Sequence, residues 1–288
     1  MIYLLKISKV IVLISIGKYH KLKVLDKRIN WLVLDALELG EAKLPIVEFD
    51  NIINIGNYVK VFLYHNSKSE LIATTKKVPT VGEVAYLPVK NLTNIGAFLD
   101  WDLEKDLFVP LAEQHRLFEI GKSYIVYLYL DKINGKITAS SKINKFIKDY
   151  VGDELKTNQE VDLIIANSTN IGHKAIINNN YWGILYFSEV FRKLSFGQST
   201  KGYIKNIRDD GRIDLSLQLV HKDLAKNAAL IEKYLIAHYG SAPFNDKSNP
   251  EDIAREFGIS KVAFKRAIGI LLKQNKIVIR DSGIYLND

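Results

Sequence analysis

The chain has 288 residues, 48% hydrophobic and 25% charged, the balance of a globular protein with room for two to four domains. It contains no cysteine, which excludes disulfides, cysteine-held zinc and thiol catalysis and suits a reducing cytoplasm. Forty Lys and Arg against 32 Asp and Glu leave a net charge of +8, a field that draws anionic partners.

At the N-terminus the apolar run "VIVLISI" (residues 10–16) is too short to span a bilayer. It also lacks a small-residue cleavage pattern, so it reads as a strand rather than a signal peptide. Residues 1–15 are taken as an extension, and no membrane association is expected.

From residue 16 onward the chain repeats itself. "NIGAFLDWDLEKDLFVPLAEQ" begins at Asn94 and "NIGHKAIINNNYWGILYFSEV" at Asn170, an offset of 76. That offset also places Gly121 on Gly197, Gly135 on Gly211, Ile137 on Ile213 and Ser140 on Ser216. Looking backward by 65, Gly82 falls on Gly17, Asp100 on Asp35, Pro110 on Pro45 and Glu113 on Glu48. Three copies follow, over residues 16–77, 78–145 and 146–220.

Each copy consists of short Val-, Ile-, Tyr- and Leu-rich runs parted by turn residues, the signature of strands and hairpins. Residues 124–130 and 137–140 flank "DKING"; residues 204–207 and 213–217 flank "RDDG". Five short strands in about 65 residues predict a closed barrel, because an open sheet of that size would leave two vulnerable edges.

After "IDLSLQ" the period changes. Leu224, Ala228, Ile231, Leu235 and Ile236 recur at helical spacing between His221 and Tyr239, and Gly240 ends that helix. "SAPFNDKS" reads as a loop. Asn249 caps a second helix with Pro250 at its first position, and Gly258 stops it. Ser260 caps a third, "KVAFKRAIGILLKQN", and a hairpin follows across Asp281, Ser282 and Gly283. This layout over residues 221–288 predicts a winged helix-turn-helix with Ile253, Ala254, Phe257, Ile259, Phe264, Ile268 and Leu271 in its core. Lys261, Lys265 and Arg266 fall near the start of the third helix, where a reading helix would meet a groove.

The Gly-Ala-Phe strand, the "VP" or "LY" strand and the closing Gly-[KR]-Ile pattern resemble the S1 RNA-binding domain, an OB-fold barrel. The fold class is therefore mainly β with a C-terminal α+β domain: three tandem S1-like OB-fold barrels followed by a winged helix-turn-helix. The resemblance implies RNA-binding positions at Phe98, Pro110 and Lys136 in the second copy and at Lys174, Tyr186 and Arg212 in the third. The first copy places Val33, Pro45 and Glu70 there and reads as depleted, with Trp31 at the glycine position. Together with "DKSNPEDIAREFGISKVAFKRAIGILLK", the stretches "GEVAYLPVKNLTNIGAFLDW", "IVYLYLDKINGKITASSK" and "KAIINNNYWGILYFSEVF" resemble the conserved virulence factor B (CvfB) family. That resemblance implies RNA-binding post-transcriptional regulators that influence virulence-factor expression.

No catalytic constellation stands out. The six histidines show no ligand spacing, and no phosphate-binding loop or nucleophile elbow occurs. Asp209, Asp210 and Asp214 could suggest a Mg²⁺ site, but an Asp-Gly hairpin turn explains them more simply. The expectation is a cytoplasmic, non-enzymatic protein without cofactor or metal that binds single-stranded RNA. Two alternatives stay open: a DNA-binding transcription factor led by the winged helix, and an adaptor docking onto ribosomes or ribonucleases. Oligomeric state is left open.

Overall fold

The computed structural model describes residues 13–48, 53–190, 192–218 and 222–287. Residues 10–12 of the N-terminal apolar run, His221 and the side chain of Leu224 lie outside them. Two compact units divide the chain, residues 1–143 and 144–288.

The first unit holds two closed barrels. The first runs β1 (Tyr19–Lys27), β2 (Trp31–Asp35), β3 (Glu41–Pro45), β4 (Tyr58–His65) and β5 (Leu71–Thr74). The second runs β6 (Val84–Leu92), β7 (Gly96–Leu99), β8 (Leu107–Pro110), β9 (Ser123–Leu130) and β10 (Ile137–Ser140). In both, antiparallel hairpins link the first three strands, and the third closes parallel against the fifth. Along β1 burial alternates, so Leu22 and Val24 point into the first barrel while Lys21 and Lys23 face out. The two barrels share an apolar seam: Phe62 leaves the outer face of β4, is fully buried, and meets Trp101 edge-on at 6.0 Å.

The second unit begins with the third barrel: β11 (Glu160–Ser168), β12 (Gly172–Ile177), β13 (Tyr181–Tyr186), β14 (Ser199–Ile207) and β15 (Ile213–Ser216), closed in the same order. The repeat extends to fine detail. The first strand of every barrel carries a register break at the equivalent place, after Val24, Val89 and Ile165. Such bulges sharpen the bend that lets one strand pair on both sides of a small barrel.

The winged helix consists of α1 (Lys222–Ala237), β16 (Ser241–Ala242), α2 (Pro250–Phe257), α3 (Lys261–Lys273), β17 (Ile277–Arg280) and β18 (Gly283–Leu286). The expected caps are in place: Asn249 accepts from the Glu251 amide at 2.9 Å and Ser260 from Ala263 at 3.0 Å. Gly258 ends α2 in the left-handed conformation, φ 64°.

Several sequence expectations shift. Residues 13–16 form no strand; Ile14 and Ile16 instead cover the first core, and pairing starts at Tyr19, past the turn at Gly17. The segment read as the loop "SAPFNDKS" opens with β16, which pairs with β18. Gly283 belongs to β18 rather than the turn; a Cβ there would meet the Ala242 carbonyl at 2.1 Å. Ile236 is exposed and Ala254 only half-buried, because each lies at the rim of its helix's apolar stripe.

Candidate nucleic-acid interface

The third barrel presents the most developed site. Alternation along β12 and β13 turns Lys174, Trp182, Ile184 and Tyr186 to the outer face, with Lys174 paired to Ile184 across the strands. On β15, Asp214 lies beside Ile184. The segment before β11 straps this face: Lys148 bridges to Tyr181, and Val151 donates to the carbonyl of Gly211 at 3.0 Å. Strap and barrel enclose an open pocket of ≈ 350 Å³ walled by Tyr150, Lys174, Trp182, Ile184, Arg208 and Arg212, among others.

The cations there differ in how firmly they are held. Arg208 donates to Asp214 at 2.6 Å and to the Tyr186 hydroxyl, while that hydroxyl in turn contacts Asp214 at 3.3 Å. Burial, followed by the Asp214 charge, pushes the Tyr186 phenol above its ordinary pKa, so it stays protonated. Lys174 and Arg212 are loosely engaged, at 3.6 Å from Asp149 and 3.6 Å from Asp210. Pairs of that kind contribute little in water, so a phosphate replaces the carboxylate at small cost. The Lys174 ammonium also lies 4.1 Å from the Trp182 ring centroid, holding a cation against an aromatic wall.

In the second barrel Phe98 and Phe108 are cross-strand partners on the outer face, rings 5.1 Å apart. Pro110 is half-buried beside Gly96, and Lys136 is exposed just before β10. In the first barrel Val33 is buried, and Lys43 bonds Glu70 at 2.6 Å and lies over Trp31. Hydrogen bonds from Lys43 and then Asn66 hold the Glu70 carboxyl below its usual pKa. Lys43 and Glu70 neutralise each other.

On the winged helix Lys265 approaches Asp246 at 3.7 Å, whereas Lys261 and Arg266 form no ion pair among the described residues. The first turn of α3 carries no acid, so its basic residues oppose the helix dipole. The Asp209–Asp214 cluster is turn chemistry: Asp210 accepts from the Arg212 amide at 3.0 Å and Asp214 is tied to Arg208. Among the described residues no group of three His, Asp or Glu is placed to hold a metal.

Thus the structure groups Lys174, Tyr186 and Arg212 on one face and leaves Phe98 and Lys136 on another. It adds Phe108, Tyr150, Trp182 and Arg208, which the sequence reading did not single out. Trp182 was within reach, being two strand steps from Tyr186 and so on the same face. Tyr150 was not, because only the folded strap brings it there.

The family model of the CvfB-like winged helix domain matches residues 229–286, and that of the S1 domain matches residues 16–76 and 81–141. Conserved virulence factor B of Staphylococcus aureus (strain bovine RF122 / ET3-1) is 29% identical over 247 residues, covering 82% of each protein. A solved multidomain protein with nucleic acid binding domains from Streptococcus pneumoniae TIGR4 is 24% identical, covering 94% of this chain and 98% of that one, with a TM-score of 0.41.

Proposed function

The chain belongs to the conserved virulence factor B family, and on that footing we propose that it is a non-catalytic, RNA-binding post-transcriptional regulator. The third barrel grips single-stranded RNA through Lys174 and Arg212, with stacking on the exposed Tyr150 ring of the strap. The second barrel adds Phe98 with Phe108 and the cation Lys136, and the winged helix adds Lys261, Lys265 and Arg266. The division into an extension (1–15), three barrels (16–77, 78–145, 146–220) and a winged helix (221–288) is the functional division that this reading uses.

The observation that carries the proposal is the loosely paired Lys174–Arg212 face around the pocket. Every base has a face to stack, and aromatic stacking contributes on the order of 1–3 kcal/mol per base. An extended single strand fits such a face better than a duplex, whose bases are already stacked.

Labelled single-stranded RNA titrated against the full chain at two salt concentrations tests this. Binding is expected to weaken as salt rises, and Lys174→Ala with Arg212→Ala is expected to reduce the slope of log K against log salt by about 1.4, at about 0.7 per phosphate contact. Binding that ignores salt, or that survives the double substitution unchanged, refutes the assignment.

A further inference from the structure

We propose that the first barrel carries a second polynucleotide surface, on the outer face of β1 and β4, where Lys21 and Lys60 hold phosphates between Tyr19 and Tyr58. It rests on the reading that the chain binds RNA, and it uses a face other than the S1-type one.

The central observation is a cross-strand pair of like charges. Lys21 and Lys60 are direct partners across β1 and β4. Like charges in that position destabilise a sheet. The other two barrels avoid the conflict at the equivalent pair: the second places Tyr86 opposite Ile125, and the third places Asp162 opposite Lys201 with an ion pair of 2.7 Å. Only the first barrel sets two cations there, although the three barrels share one pattern of pairing.

No conventional partner among the described residues relieves them. Among the described residues neither lysine forms an ion pair. Their ammonium groups lie over aromatic rings instead, Lys21 at 5.9 Å from Tyr58 and Lys60 at 5.6 Å from Tyr19. Tyr58 is 60% exposed, so one face of the cluster is open to a ligand. An open groove of ≈ 550 Å³ runs along it, lined by Lys21, Ile53, Asn57, Tyr58 and Lys60. Edge protection, a frequent reason for lysine on a strand, does not apply, because the barrel is closed.

The arrangement favours a polynucleotide over an acidic peptide. Outward residues repeat every two positions, about 6.8 Å along a strand, so Lys21 follows Tyr19 on β1 and Lys60 follows Tyr58 on β4. A single strand offers both phosphates and unstacked bases to such a series, while an acidic peptide offers charge alone. On the barrel's S1-type face Lys43 is instead bound by Glu70.

The test compares three full-length proteins, the parent, Lys21→Ala with Lys60→Ala, and Lys174→Ala with Arg212→Ala, on oligouridylates of about 8 and about 40 nucleotides, since one OB fold covers roughly 4–16. The first double variant is expected to bind the long RNA more weakly, with a salt slope lower by about 1.4. Its thermal midpoint without RNA is expected to stay level or rise, because the repulsion is gone. A long-RNA affinity and salt slope equal to the parent's overturn the proposal, as does polyglutamate displacing the RNA in the parent but not in this variant. If only the Lys174 and Arg212 variant loses affinity, RNA binding stands and the second surface falls. If the parent binds no RNA at low salt, both fall.

Discussion

Lys174 and Arg208 carry the same charge on the same face, yet their surroundings give them different work. Arg208 is fixed by Asp214 and Tyr186 and braces the barrel, whereas Lys174 rests on Trp182 with a distant carboxylate. Alanine at Lys174 is therefore expected to lower RNA affinity with little change in thermal midpoint, and alanine at Arg208 to lower the midpoint as well, since it strands Asp214. Melting curves beside binding curves separate the two effects. A second residue-scale expectation concerns pH. Burial, and then Lys105, hold the His65 imidazole below its ordinary pKa of 6.5. The folded state thus resists protonation at His65, and stability is full above pH 6.5 and falls as pH drops from there through the depressed value. His65→Asn is expected to flatten the decline in thermal midpoint between pH 7 and pH 5.

Among the strands and helices, two glycines show how closely the barrels are drawn. A Cβ on Gly96 would lie 2.3 Å from the Val109 carbonyl, and one on Gly172 would lie 2.2 Å from the Leu185 carbonyl. Both glycines open the second strand of their barrel opposite Pro110 and Tyr186. Gly96→Ala is expected to destabilise the second barrel by about 1–3 kcal/mol through overpacking, read as a shift in denaturant midpoint. The first barrel has Trp31 at that register, with its ring 37% exposed over Lys43, so the same pairing tolerates a side chain once the ring turns outward. The helices follow local rules more simply. Ser260→Ala removes the hydroxyl that caps α3 and is expected to cost about 1 kcal/mol in the winged helix.

At the scale of the whole molecule the barrels are not equivalent neighbours. Phe62, Tyr64 and Val78 join the second barrel's core, so the first two barrels are expected to melt as one body. Trp101→Ala, at 5% exposure in that seam, is expected to destabilise residues 1–143 by about 3–5 kcal/mol. Differential scanning calorimetry should then show an earlier transition for that unit and leave RNA contacts at Arg212 intact. No helix among the described residues is long and apolar enough to cross a membrane.

The repeat, the closed barrels and the caps Asn249, Gly258 and Ser260 were readable from the chain because they rest on local chemistry: alternation, turn glycines and side chains that satisfy nearby amides. The resemblance to the S1 domain also singled out Lys174, Tyr186 and Arg212. Tertiary structure decided what the strand faces contain. Tyr150 reaches the third barrel's pocket only through the strap, Lys43 is neutralised by a residue 27 positions away, and Lys21 meets Lys60 only across a closed barrel. Pairing between distant segments depends on register, and no local pattern specifies which charge will stand opposite which.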